Sequence, residues 1–369
     1  MLIGVNATFM NQRPTGLGVF TIEVLRSIIE LHREVIVYSP VTLDSLPQEI
    51  IASVSRHVRG SLNFRNNLAR FIHINTILPL RLLLKGVDVL FCPMIEYPFF
   101  NRLPTVIHIH DIHPVIFQDE FKRAALPFKA SLKMLRLGRI RLTASTEHVR
   151  NEFLEYTSFP EEDIDIVPLA YNSRIFYPRD ETLREQFLER YGIRGPYILY
   201  VGNLFRYKNV DTLVKAFLCV KDRLDHSLVI AGNRQLADSN SAVTDNRVIH
   251  LDYVSINDLP FLYSYADLLV HPSLSEGFGL TVLEAMACGT PVVATNRAAI
   301  PEVAGDAAIL IDPLQVDEIA DAILRVCSDG ALKQDLIRKG LEHVKGFSWQ
   351  RTARGILDSC RKAYEKFRS

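Results

Sequence analysis

From Val270 to Ala287 the chain reads Val-His-Pro-Ser-Leu-Ser-Glu-Gly-Phe-Gly-Leu-Thr-Val-Leu-Glu-Ala-Met-Ala, and Cys288 to Pro291 then lead to Val292, Val293 and Ala294. Leu268 to His271 is a short apolar run, the pattern of a parallel strand buried on both faces. Pro272 to Gly279 is rich in turn residues. Leu280 to Ala287 consists of good helix formers, and Gly289 stands where a helix should stop. The segment is strand, loop, helix, strand, with Glu276 in the loop and Glu284 inside the helix. Gly277 and Gly279 leave backbone N–H groups open at the strand's C-terminal end, a place that favours phosphate. Two carboxylates there can accept hydrogen bonds from hydroxyls. Two readings stand side by side: a tight structural turn with a solvated helix glutamate, or a site for a ligand with a diphosphate and several hydroxyls, such as a nucleotide sugar.

The alternation continues on both sides of this stretch. Strand-like runs are Tyr197–Val201, Ser227–Ala231, Val248–Leu251, Leu268–His271, Val292–Thr295 and Ala308–Ile311, and helical patterns are Asp211–Val220, Leu259–Ala266, Leu280–Ala287 and Val316–Ser328. The first half repeats it with Leu2–Ala7, Glu34–Tyr38, Val87–Phe91, Thr105–His110 and Arg141–Ser145, and a helical pattern over Val19–Leu31. Such alternation predicts α/β architecture with two doubly wound sheets. Between the halves, Val167-Pro168-Leu169-Ala170-Tyr171-Asn172 and Phe176-Tyr177-Pro178 follow an acidic approach of Glu161, Glu162, Asp163 and Asp165, composition that suggests a boundary. The expected organisation is a first domain over 1–172, a second over 173–349, and a terminal helix over 350–369.

Composition bounds the class. A chain of 369 residues is long for one core and comfortable for two. With 48% hydrophobic and 23% charged residues it reads as an ordinary globular protein. No apolar run reaches the ~20 residues of a spanning helix, and Met1-Leu2-Ile3-Gly4-Val5 reads as a strand rather than a signal peptide. The five cysteines are scattered, which argues against a zinc site or disulfide framework and for a cytoplasmic protein. The net charge is zero, but residues 1–150 carry 18 Lys and Arg against 11 Asp and Glu. The excess lies in two acid-free stretches: 51–87 with Arg56, Arg59, Arg65, Arg70, Arg81 and Lys85, and 121–142 with Lys122, Arg123, Lys129, Lys133, Arg136, Arg139 and Arg141. Such a half suits nucleic acid, an anionic membrane or plain solvation. Lys129, Lys133, Arg136 and Arg139 recur at helical spacing beside Phe121, Leu126, Phe128, Leu132 and Leu135, so a basic amphipathic helix there could lie on a bilayer or pack on its sheet.

Three further constellations could carry chemistry. Gly202-Asn203-Leu204-Phe205-Arg206-Tyr207-Lys208 follows the strand Tyr197–Val201, where cations can neutralise a diphosphate or serve only as a solvated loop. Thr15-Gly16-Leu17-Gly18 follows the first strand and opens a helix. It lacks the third glycine of a dinucleotide fingerprint, which disfavours a dehydrogenase, and it is no Walker loop. His108, His110 and Asp111 end another strand, with both histidines on one face by alternation. His113 follows, but no Asp-x-Asp stands beside the three histidines, and metal is the lesser reading.

Glu276-Gly277-Phe278-Gly279-Leu280, followed by Leu283-Glu284-Ala285-Met286-Ala287-Cys288-Gly289 and Pro291-Val292-Val293-Ala294, resembles the Glu-x7-Glu signature of retaining glycosyltransferases of family 4. The likeness covers nearly the whole chain, most strongly 197–313. It implies a GT-B fold: two facing Rossmann-like domains with an interdomain cleft, the first on the acceptor side, and a terminal helix crossing back to it. It implies Glu276, His110 and Lys208 as the catalytic group. It implies donor contacts from Gly16, Gly18, Asn203, Arg206, Lys208, Gly277, Phe278, Gly279, Leu280 and Glu284, with Glu276 beside the sugar and Glu284 on the ribose. Asn203 stands where the family often has Arg, and this departure leaves open whether Arg206 supplies that charge. Ala231-Gly232-Asn233 and Asp252-Tyr253-Val254 fall where the family lines the nucleotide pocket. The family's chemistry is attack on the face the diphosphate leaves, through an oxocarbenium-like state, without metal or other cofactor. The implied function is transfer of a hexose, first mannose from GDP-mannose, to a glycan or lipid-linked acceptor in surface-polysaccharide synthesis, with peripheral contact to anionic membrane and no nucleic acid. UDP-sugars and dTDP-rhamnose stay open as donors. The rivals are an epimerase or phosphorylase on the same fold and an inactive partner subunit.

Overall fold

The structure, a computed structural model, describes residues 1–11, 16–43, 46–58, 64–99, 101–232 and 245–367. Thr15, Arg59 and Asn233, singled out above, lie outside the described residues. The chain forms two compact units, one of residues 1–169 with 349–369 and one of residues 170–348.

The first unit holds a parallel sheet of seven strands: β1 (Ile3–Asn6), β2 (Val35–Ser39), β3 (Ile51–Ser53), β4 (Val89–Cys92), β5 (Thr105–Ile109), β6 (Ile140–Ala144) and β7 (Ile164–Ile166), in the order β3-β2-β1-β4-β5-β6-β7. Its helices are α1 (Gly16–Leu31), α2 (Phe64–Ile72), α3 (Leu78–Leu84), the short α4 (His113–Ile116), α5 (Lys122–Met134) and α6 (Glu147–Tyr156). Every residue of β1, β4, β5 and β6 is buried. That double-sided burial is why these strands read as unbroken apolar runs. The edge strands β3 and β7 escape such a reading because they are three residues long and carry Ser53 and Asp165.

The second unit repeats the plan with β8 (Tyr197–Val201), β9 (Ser227–Ala231), β10 (Val248–Leu251), β11 (Leu268–His271), β12 (Val292–Thr295) and β13 (Ile309–Ile311), ordered β10-β9-β8-β11-β12-β13. Its helices are α7 (Arg184–Arg190), α8 (Val210–Val220), α9 (Leu259–Ser264), α10 (Leu280–Ala287), α11 (Ile300–Ala304), α12 (Val316–Ser328) and α13 (Gly330–His343). The helix α13 is absent from the sequence reading, although its cap is conventional: the Asp329 carboxylate accepts from the Ala331 and Leu332 amides. Gly289, with φ of +78°, terminates α10.

The last helix, α14 (Trp349–Phe367), belongs to the first unit. It buries Trp349, Thr352, Ala353, Ile356, Ser359, Cys360 and Ala363, a helical stripe, against α1 and the β4–β6 face. Two residues of the acidic approach make ion pairs within the first unit. Arg141 on β6 binds Asp165 at 2.6 Å and Asp163 at 3.1 Å, while Ser359 donates to Asp165 and Lys366 to Asp163 from α14. Asp163 is buried and Asp165 partly so, and the side chains of α14 supply partners where water is scarce.

The basic face expected around Lys129 is also shorter than expected. α5 ends at Met134, Arg136 lies in a 3-10 turn (Leu135–Leu137), and Arg139 follows Gly138 and donates to the Phe367 carbonyl at 2.8 Å. Leu132 and Leu135 are buried in the first unit's core. Gly138 breaks the helical spacing that would have aligned the four cations.

Candidate active site

In an open parallel sheet, a crevice forms where the strand order reverses, outside the strands' C-terminal ends. In the second unit the reversal falls between β8 and β11, since β8 pairs with β9 on one side and β11 on the other. The loops leaving β8 and β11 therefore meet. One brings Lys208, the other Glu276, residues 68 apart in sequence.

Lys208 Nζ donates to Glu276 Oε1 at 2.6 Å. His271, the last residue of β11, places Nε2 at 2.8 Å from the same oxygen, and its Nδ1 lies 3.3 Å from the Thr281 hydroxyl. Glu276 and His271 are buried. Burial alone would push the Glu276 carboxyl up, but the Lys208 ammonium and His271 hold it well below the usual carboxylate range. Sequence reasoning noticed His271 only as a strand end, although a polar side chain closing a strand at the reversal is itself a signal.

Asn209 fixes the β8 loop. It adopts a left-handed backbone with φ of 57°, and its side-chain amide donates to the Pro272 carbonyl at 3.2 Å and the Pro313 carbonyl at 2.6 Å. An Asn before a helix reads as a cap; here the amide instead ties together loops that lie far apart in the chain. Tyr200 donates to the Asn203 carbonyl at 2.8 Å. Asn203 and Arg206 are exposed and Lys208 is half-buried. Gly232 allows β9 to approach the same loop: a Cβ there would lie 2.0 Å from the Gly202 carbonyl oxygen.

The β11 loop ends at Gly279, which caps α10 with φ of +95° and where a Cβ would meet Ile300 at 2.3 Å. Only glycine fits this turn. Gly277 and Leu280 are half-buried, while Phe278 is buried with its ring 6.0 Å from that of Phe347. Glu284, one turn into α10, accepts from the Tyr263 hydroxyl at 3.0 Å. Burial pushes its carboxyl up to about 7, with the Tyr263 hydrogen bond opposing. Tyr263 is fully buried on α9, and its carbonyl accepts from Thr290 at 2.6 Å. Nothing in the local sequence marks Tyr263, which sits in an apolar helical pattern.

The first unit carries the remaining candidates. Gly16 and Gly18 lie in the first turn of α1, Gly18 buried. His108 and His110 do share one face: their rings are 4.6 Å apart, and both touch Phe20 of α1. His108 is buried against the Thr143 hydroxyl at 2.9 Å. His110 Nε2 lies 2.9 Å from the Pro93 carbonyl. Burial lowers its pKa, so the ring is neutral near pH 7 and donates through Nε2, leaving Nδ1 as an acceptor. Among the described residues, no three His, Cys, Asp or Glu side chains form a group able to hold a metal.

Residues 184–343, within the second unit, match the family described as Glycosyl transferases group 1. The chain is similar to the O-antigen chain mannosyltransferase B of Escherichia coli, 33% identical over 231 residues that cover 60% of each protein. It spans about 60% of the length of the curated relatives it matches. Among solved structures it is similar to the sucrose-phosphate synthase of Thermosynechococcus elongatus, with a TM-score of 0.73, 18% identity and 99% of both chains covered. It is also similar to Anabaena HepE in complex with UDP-glucose, with a TM-score of 0.74, 16% identity, and 98% of this chain and 100% of that one covered. These likenesses establish the fold as GT-B, built from two Rossmann-like units.

Proposed function

We propose that this chain is a retaining glycosyltransferase that moves a hexose from a nucleoside-diphosphate sugar to a hydroxyl of a glycan or lipid-linked glycan. The observation that carries this reading is the Lys208–Glu276–His271 cluster at the strand reversal of a glycosyl transferases group 1 domain. Both contacts to Glu276 fall on Oε1, which leaves Oε2 to accept a sugar hydroxyl. A carboxylate held this far below its usual range is a weak base, so Glu276 orients the sugar rather than removing a proton. Lys208 has three N–H donors, enough to serve Glu276 and the leaving diphosphate together. Arg206 and the backbone N–H groups at the start of α10 add to that charge. Glu284 takes the ribose hydroxyls, and Gly16, Gly18 and His110 serve the donor and acceptor from the first unit.

Mannose is the first choice of sugar and GDP-mannose of donor. The name of the Escherichia coli relative supports it, and the UDP-glucose complex of Anabaena HepE supports a nucleotide sugar more broadly. The acceptor reading extends to a cytoplasmic enzyme in peripheral contact with anionic membrane.

A thermal-shift panel of nucleoside diphosphates and their sugars tests the proposal, because a ligand bound only by the folded form raises Tm. GDP and GDP-mannose are expected to give the largest rise. A larger rise with UDP or dTDP sugars would reassign the donor, and no rise with any member would overturn the reading.

A further inference from the structure

From Phe64 to Leu84 the first unit is helical without a break: α2, a π turn (His73–Ile77) and α3. One side of this rod is built into the unit. Ile74, Leu78 and Leu82 are buried, Arg70 binds Glu96 at 2.8 Å, and Arg81 donates to the Ser53 carbonyl at 3.0 Å. Asn75 ties the π turn to the loop after β4, since the Phe99 amide donates to its Oδ1 at 3.0 Å. The opposite side presents Leu68, Phe71, Ile72, Ile77, Leu80, Leu83 and Leu84, all exposed, the last two at 72% and 75%.

These residues form one stripe. Spacings of three and four hold within each helix, and across the π turn Ile77 follows Ile72 at five. A π turn takes one more residue per circuit than an α turn, so the extra residue keeps Ile77 on the same side. α5 offers no such face, since among its described side chains Leu126 is its only exposed large apolar residue.

The segment that carries the stripe has charge of one sign. Arg56, Arg65 and Lys85 are exposed, the Arg56–Val58 turn packs beside α2, and the sequence has no acid from 51 to 87. A second copy of this chain docking through the same face would set like charges against each other. An anionic lipid surface satisfies both features, taking the apolar stripe into the acyl boundary and the cations at the phosphates. No helix among the described residues is long and apolar enough to cross a membrane, so such contact would be peripheral.

We propose that the α2–π–α3 rod, through Leu68, Phe71, Ile77, Leu80, Leu83 and Leu84, is the element that docks this protein on an anionic bilayer. This deepens the membrane contact proposed above and assigns it to this rod rather than to α5.

Co-sedimentation of the full chain with phosphatidylcholine vesicles, with and without phosphatidylglycerol, tests it. The wild type is expected to pellet with the anionic vesicles. Leu80→Ser, Leu83→Ser and Leu84→Ser combined should lower that partition by about tenfold, and because all three are exposed the fold should survive. Lys129→Ser with Lys133→Ser should change it little. A wild type that stays in the supernatant, a leucine variant that binds as the wild type does, or an equal loss in the α5 variant would each overturn the assignment. The GDP-induced Tm shift, measured on the same variants, reports donor binding separately, so loss of lipid binding and failure of the donor reading are distinguishable.

Discussion

Glu276 lies in the loop before α10 and Glu284 inside that helix, and their surroundings drive the two carboxyls in opposite directions. Glu276 is buried against two nitrogens that favour its charge; Glu284, half-buried, meets a hydroxyl that cannot fully offset its desolvation. If their roles divide as proposed, Glu284→Ala weakens binding of the nucleoside diphosphate by about 0.5–1.5 kcal/mol. Glu276→Ala should leave that affinity intact and cut turnover. Isothermal titration with the diphosphate alone separates the two, and equal losses would refute the division. Glu284 also makes stability depend on pH. Its carboxyl rises from 4.5 to about 7 on folding, so between those values the folded form holds a proton that the unfolded chain has lost. Stability therefore falls as pH rises through this window, by up to about 3 kcal/mol in full above it. Glu284→Gln keeps an acceptor for Tyr263 and removes the titration. It should match the wild type in thermal stability near pH 4.5 and exceed it at pH 8; a constant difference across pH would refute this.

At the scale of elements, α14 is held to β6 and β7 by the Arg141, Asp163 and Asp165 set. Although burial opposes it, hydrogen bonds from Arg141, Lys362 and Ser359 hold the Asp165 carboxyl well below its usual range. A carboxyl depressed by folding adds stability above its unfolded value near pH 4, and that stability is lost as pH falls through the folded value. Arg141→Ala removes the buried cation of the set and leaves Asp163 and Asp165 to the exposed Lys366 and Lys362 and to Ser359, and should cost up to about 3–5 kcal/mol. Lys362→Ala, at an exposed cation, should cost about 1 kcal/mol or less. Urea denaturation of the two variants checks the contrast, and similar losses would mean that the network is not what holds α14. These acids also show where reading by composition ends. Four acidic residues near two prolines look like a solvated linker, and only the return of α14 from almost two hundred residues away brings Ser359, Lys362 and Lys366 onto Asp163 and Asp165.

For the whole molecule, the proposed chemistry assigns the charge of a leaving diphosphate to Lys208, Arg206 and the start of α10. Turnover is therefore expected to survive EDTA; complete loss on chelation, restored by magnesium or manganese, would overturn that. Much of the architecture was legible in the chain itself. Strands buried on both faces must be continuous apolar runs, and helix formers followed by glycine mark α10, so β8, β9, β11, β12 and α10 stand where local pattern puts them. Glu276 and Lys208 were legible as charged residues in loops that follow strands. What the chain alone did not determine is who meets whom. The Lys208–Glu276 pair, the Tyr263 hydroxyl on Glu284 and the closure of α14 on Arg141's acids depend on strand order. Exposure of the α2–α3 stripe is likewise a tertiary fact. Leu78 and Leu82 are as apolar as Leu80 and Leu83, and only the elements packed on one side of the rod decide which of them water can reach.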